Sequence, residues 1–187
     1  MTKAYYMRFH KGEASGLDRI GGSPSHIPAD YPINPKNGAP LGFAAQFECH
    51  PDRLPINDAI LLQLYYPDDD VYIPLDDIQP ILITKSTRLA SPSGFWVGLT
   101  DPALTPHGIS WRESDDPDSS EVDWNDIFGC SFLRESKSMG TCGFPREIQT
   151  GERCLLQLEE LPGGFDFGGD LCLVILKPDG SLRVTTV

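Results

Sequence analysis

The chain has 187 residues, a formal net charge of −12 and an apolar fraction of 40%, enough for a packed core in one large domain or two intertwined halves. A chain this acidic, with no basic stripe, excludes a phosphate backbone as its ligand. The longest apolar run, Leu171 to Leu176, falls far short of the roughly 20 residues a membrane-spanning helix needs, and the opening MTKAYYMRFHKGEASG holds no signal-like core, so the expectation is a soluble, cytoplasmic protein with no membrane partner.

Along the chain, Ala4 to His10 predicts a short strand, and the Gly, Pro, Ser and Asn of the following thirty or so residues predict ordered turns and extended chain. LGFAAQFEC reads as a strand, LPIND as a turn, and AILLQLYYP as a second strand buried on both faces, ended by Asp68-Asp69-Asp70. The proline-broken, β-branched stretch from Val71 to Ala90 fits short strands at a sheet edge, because proline cannot donate to an interior ladder. Residues 91–111 have no clear period. Asp123 to Phe132 predicts a short helix, with Asp123 as its cap and acids in its first turn. A Gly143-Phe144-Pro145 turn, the strand CLLQL, the glycine-rich loop GGFDFGGD and the strand LCLVIL follow.

The second half repeats the first. Residues Phe43 to Asp70 and Cys154 to Ser181 align without a gap at a constant offset of 111, which sets Gln46 on Gln157, Glu48 on Glu159, Pro51 on Pro162, Leu62 on Leu173, Pro67 on Pro178 and Asp68 on Asp179. Each copy follows a Gly-Pro turn, Gly21-Gly22-Ser23-Pro24 in the first. Such repetition predicts two strand-loop-strand units sharing one core. With no long amphipathic helix, the expected fold is β-rich α+β and not an alternating α/β sheet. The organisation expected is a single domain over 1–187, with repeat one at about 20–70, an acidic connector at about 71–137 and repeat two at about 138–187.

Charge is concentrated in two places. Tyr66 to Pro80 carries five acids and no base, Asp101 to Asp126 carries eight acids against Arg112, and together they account for the whole net charge of −12. Within the second run, Asp115, Asp116, Asp118, Glu121, Asp123 and Asp126 offer steering charges, and Trp111 and Trp124 offer anchors. The complement of such a surface is a basic protein partner. The plainer alternative is a solvated loop pinned to its own core by those aromatics.

Chemistry beyond charge is sparse. Cys49, Cys130, Cys142, Cys154 and Cys172 form no CxxC pair and are odd in number, which predicts free thiols, with Cys154 and Cys172 as small buried apolar residues in their strands. No metal-ligand spacing joins them to His50, so no metal is expected. The four histidines, His10, His26, His50 and His107, make no HExxH pair, no GxSxG elbow occurs, and GGFDFGGD lacks the order of a dinucleotide loop. No catalytic residue and no cofactor are therefore assigned. Gln46 and Gln157 interrupt apolar strands at equivalent places, and a buried glutamine needs hydrogen-bond partners, either in a neighbouring turn or in a ligand. The first option has each glutamine holding the Gly-Pro turn before it. The second makes Gln46, Gln157, His26 and Tyr31 the lining of a pocket where the two repeats meet.

Several of these motifs resemble the YwqG-like bacterial proteins of unknown function: Ile20-Gly21-Gly22-Ser23-Pro24, Tyr31-Pro32, Gly42-Phe43-Ala44-Ala45-Gln46-Phe47, Ile60 to Tyr66, Met139 to Pro145, Ile148-Gln149, Leu155-Leu156-Gln157-Leu158 and Gly169-Asp170. Tyr31 stands where that family usually has tryptophan. The resemblance implies a duplicated β-rich α+β fold without established catalytic activity, and the frequent placement of similar proteins beside polymorphic toxins implies immunity. The leading expectation is thus a non-catalytic binding protein, an immunity protein neutralising a basic toxin through its acidic surface. The alternative is a small-ligand binder or enzyme at the junction of the repeats.

Overall fold

The computed structural model describes residues 3–12, 16–67, 78–91, 106–115, 151–158 and 172–186. Nine strands lie among them: β1 (Lys3–Lys11), β2 (Arg19–Ile20), β3 (Gly42–Glu48), β4 (Ala59–Tyr66), β5 (Gln79–Thr84), β6 (His107–Asp115), β7 (Arg153–Leu158), β8 (Cys172–Leu176) and β9 (Leu182–Thr186). They form a six-stranded sheet in the order β1-β6-β2-β3-β4-β5 and a three-stranded sheet in the order β7-β8-β9, with every pairing antiparallel. The β-rich expectation holds. No described residue is α-helical, and the helix expected over Asp123 to Phe132 lies outside the described residues.

Alternation along the strands sets which side of each sheet is apolar. Met7 of β1, Ile20 of β2, Ala45 and Phe47 of β3 and Leu62 and Leu64 of β4 join Leu156 and Leu158 of β7 and Cys172 and Val174 of β8 in a single buried cluster. The two sheets therefore face one another across a common core. At roughly 25 cal/mol per Å² of apolar area removed from water, this burial is the main force holding the sheets together.

The two hairpins agree in one further detail. In β3–β4 the register shifts between Phe43 and Ala45, and in β7–β8 it shifts between Cys154 and Leu156, so the bulged residues Ala44 and Leu155 stand 111 apart and both are buried in the core. Past the loop the gapless alignment fails. Gln46 pairs with Gln63 but Gln157 pairs with Leu173, so β8 matches β4 at an offset of 110, one residue out of step with the sequence alignment. Within the expected connector, residues 107–115 form β6, which lies between β1 and β2 in the six-stranded sheet.

Cysteine chemistry departs from expectation at one position. Cys49 and Cys172 are free, but Cys154 is disulfide-bonded. Its place in the apolar run of β7 gives no sign of that bond.

Candidate functional site

The polar side chains that the fold gathers lie on the face of β3 and β4 turned away from the common core. Two consecutive glycines with positive φ, Gly21 (63°) and Gly22 (67°), reverse the chain after β2 in a conformation that side chains with a Cβ disfavour. The Gly21 amide donates to the Ala44 carbonyl at 2.7 Å. From there the segment through Leu41 runs over the outer face of β3–β5, where Leu41, Phe43 and Tyr65 form a second buried cluster against Tyr31 and Ile81.

Under this cover sits Gln46, fully buried beside the equally buried Gln63. Gln46 Nε2 donates to the Leu17 carbonyl at 2.6 Å and to Ser25 Oγ at 2.8 Å, and Gln46 Oε1 accepts from the Ser25 amide at 3.1 Å and from Gln63 Nε2 at 2.9 Å. Gln63 Nε2 also donates to the His26 carbonyl at 2.7 Å, and Gln63 Oε1 accepts from Tyr65 Oη at 3.0 Å. Both protons of each amide are used, and both carbonyl oxygens are occupied. Arg19, which pairs with Gln46 across the strands, closes the same turn from its other side by donating to the Gly16 carbonyl at 2.8 Å and the Ser23 carbonyl at 3.3 Å.

Gln46 thus holds the backbone just after the Gly-Gly-Ser-Pro turn, the first of the two roles its sequence position suggested. Tyr31 donates to the Leu41 carbonyl at 2.7 Å and packs edge-on against Tyr65, with ring centroids 5.5 Å apart. Burial pushes the Tyr31 phenol up to about 12 and raises Tyr65 further, the neighbouring Tyr31 adding to the Tyr65 shift. His26 is half-buried, and its Nδ1 lies 2.8 Å from Ser25 Oγ.

The pocket expected from Gln46, Gln157, His26 and Tyr31 is not assembled. Gln46, His26 and Tyr31 belong to the covered outer face of the large sheet. Gln157 lies on the face of β7 opposite Leu156 and Leu158, half-buried, on the far side of the other sheet. Sequence reasoning missed Gln63 because AILLQLYY reads as an apolar strand. Its signal was available all the same, since closing the hairpin in register sets it opposite Gln46.

A second polar group sits where β3 ends. Asp18, 8% exposed, accepts from the Glu48 amide through Oδ1, and its Oδ2 accepts from Arg53 Nη2 and from Trp111 Nε1, each at 2.9 Å. The Arg53 guanidinium lies 4.7 Å from the Trp111 ring centroid, and Phe47 meets that ring edge-on at 6.3 Å. Burial, with the charges of Asp18 and Glu48, pushes the adjacent Cys49 thiol up to about 12, which leaves it unreactive near neutrality. Such a buried set fastens β2, β3, the turn after it and β6 to one another. Sequence reasoning missed Asp18 because it sits alone in a loop, far along the chain from Arg53 and Trp111.

These contacts change the reading of Trp111, which is half-buried and committed to Asp18, Arg53 and Phe47 in place of an exposed anchoring role. Asp115 closes β6 opposite Lys3. Asp116, Asp118, Glu121, Asp123, Trp124 and Asp126 lie outside the described residues. Among the described residues, no group of three or more His, Cys, Asp or Glu is arranged to hold a metal ion, and no helix is long and apolar enough to cross a membrane. The chain matches no family model and no curated protein.

Proposed function

We propose that this chain is a non-catalytic binding protein that captures a basic protein partner through carboxylate-rich surface, in the manner of an immunity protein neutralising a basic toxin. The observation that carries this reading is the confinement of the whole net charge of −12 to two short runs of sequence. Clustered like charge of this kind raises the encounter rate with an oppositely charged protein and selects against acidic ones. The internal polar side chains support the same reading from the other direction. Gln46, Gln63 and Asp18 have their hydrogen bonds taken up within the fold, which leaves recognition to the surface. The resemblance to the YwqG-like proteins and the duplication it implies belong to this proposal as well, since the matching bulges at Ala44 and Leu155 suit a doubled hairpin.

The test is co-expression with the product of the neighbouring reading frame in a bacterial host, followed by association kinetics on the purified pair. The expected result is rescue of growth and a complex whose association rate falls by roughly tenfold or more between low and high salt. Reversing charge with Asp115→Lys and Asp116→Lys should slow association, and Trp124→Ala should speed dissociation. An association rate indifferent to both salt and charge reversal refutes the proposal.

A further inference from the structure

Four asparagines occur in the chain, and the residue after each sets its chemistry apart. An asparagine amide is lost when the main-chain nitrogen of the next residue attacks the side-chain carbonyl carbon, an intramolecular step governed by access and orientation. Pro35 after Asn34 has no N–H to give up. Asn57 and Asn125 each precede an aspartate, whose side chain crowds the nitrogen and whose charge repels hydroxide. Only Asn37 precedes a glycine, with no Cβ in the way. Asn37 and Gly38 are both exposed, at the tip of a small hairpin in the segment that covers β3–β5. Ile33 bridges to Pro40, the Asn34 amide donates to the Ala39 carbonyl at 2.7 Å, and the hairpin ends at Leu41 in the buried outer cluster. At the tip both reacting groups are engaged. The Gly38 amide donates to the Asn34 carbonyl at 2.7 Å, and Asn37 Oδ1 accepts from the Ala39 amide at 2.9 Å. Asn34, 4% exposed, braces the turn by accepting from the Lys36 amide through Oδ1 at 2.9 Å.

We propose that Asn37 is a latent deamidation site, shut by this turn and released when the turn opens locally. In the opened turn hydroxide takes the Gly38 amide proton, the nitrogen bonds to Asn37 Cγ, and the Cγ–Nδ2 bond breaks. The amide leaves as ammonia with a proton from water. A second water opens the five-membered imide at either carbonyl and leaves aspartate or isoaspartate, so the net change is an amide and water for a carboxylate and ammonium. The closed turn opposes this step twice. The Gly38 proton is held by the Asn34 carbonyl and withheld from hydroxide, as in a protected exchanging amide. The Asn37 side chain, tied through Oδ1 to the Ala39 amide, lacks the free rotation that an unfolded chain offers. Isoaspartate lengthens the main chain by one methylene and shifts the Gly38 amide away from the Asn34 carbonyl, so the modified turn does not reclose in the same register. The site is independent of capture of a basic partner, because it uses neither acidic run.

The experiment incubates the full chain at mildly alkaline pH, folded and in urea, and follows Asn37 by the mass gain of its peptide and by enzymatic methylation of isoaspartate. The expected result is deamidation of Asn37 in urea and a rate in the folded chain lower by roughly tenfold or more. Asn34→Ala, checked for a cooperative thermal melt, removes the brace on the Lys36 amide and should raise the folded-state rate by roughly threefold or more. Glu152→Gln, which weakens the other sheet at its bond to Arg183, should leave that rate within about twofold. The parent comparison stands even where Asn34→Ala fails to fold. No deamidation in urea, a folded-state rate equal to or above the rate in urea, no acceleration in folded Asn34→Ala, or equal acceleration by Asn34→Ala and Glu152→Gln would each overturn the proposal.

Discussion

The β3–β4 and β7–β8 hairpins carry a glutamine two residues past the same bulge, and the two glutamines meet opposite fates. Gln46 is sealed beneath the turn at Gly21-Gly22 and bonded on every side, whereas Gln157 is half-buried on β7, which ends its sheet. A strand position therefore specifies where a side chain points, and the segment that later crosses that face decides what the side chain does.

The sharpest way to break this comparison is to remove each amide. Gln46→Leu strands the Ser25 amide, the Leu17 carbonyl and one Gln63 proton in a buried place, and a loss of about 3 kcal/mol is expected. This corresponds to a fall in Tm of roughly 10 °C. Gln157→Leu should stay within about 0.5 kcal/mol. Comparable losses from the two substitutions, read from urea unfolding, would mean that the glutamines have equivalent roles and that the cover over β3–β5 is not the deciding difference.

The smaller sheet has its own lock, on a smaller scale. Arg183 of β9 meets Glu152, just before β7, through two parallel bonds of 3.1 and 2.7 Å, with the Glu152 side chain only 5% exposed. Glu152→Gln is expected to cost about 2 kcal/mol, because the guanidinium keeps its place without its counter-charge. The double variant Glu152→Gln with Arg183→Met should recover part of that loss. A double variant worse than the single one would assign the loss to packing and not to charge.

Local pattern made much of this architecture legible. β3, β4, β7 and β8 follow from short apolar runs bounded by turn residues, and the edge position of β5 follows from Pro80. The role of Gln46 was legible for the same reason, since a repeated polar residue in an apolar strand needs a partner and the preceding turn is the nearest candidate. β6 was not, because His107 to Asp115 mixes polar and apolar residues beside an acidic run and pairs with β1, about a hundred residues earlier in the chain. The clasp of Asp18, Arg53 and Trp111 was illegible too, since three segments distant in sequence meet only after β6 enters the sheet. The one-residue slip between β4 and β8 hid behind a gapless alignment, because neighbouring apolar residues in a strand buried on both faces can exchange places without disturbing the pattern.

Alkaline pH offers the finest probe of the covered face. Burial lifts the Tyr31 phenol from 10.0 to about 12, so between those values the unfolded chain releases this proton while the folded chain retains it. Stability contributed by the neutral phenol is complete below pH 10 and is lost as pH rises towards 12. Tyr31→Phe forfeits the hydrogen bond to the Leu41 carbonyl, and at pH 8 the variant should be less stable by about 1 kcal/mol. Its stability should then fall less steeply than that of the parent above pH 10, so that the two curves cross at about pH 10.7 and the variant is the more stable by about 1 kcal/mol at pH 11.5. The raised thiols of Cys49 and Cys172 titrate over much of the same range, but they are present in both proteins and cancel in the difference. Urea midpoints at pH 8, 10 and 11.5 measure that difference directly. Parallel curves would mean that Tyr31 ionises as readily in the folded chain as in the unfolded one, and that the covering segment leaves the face beneath it open to water.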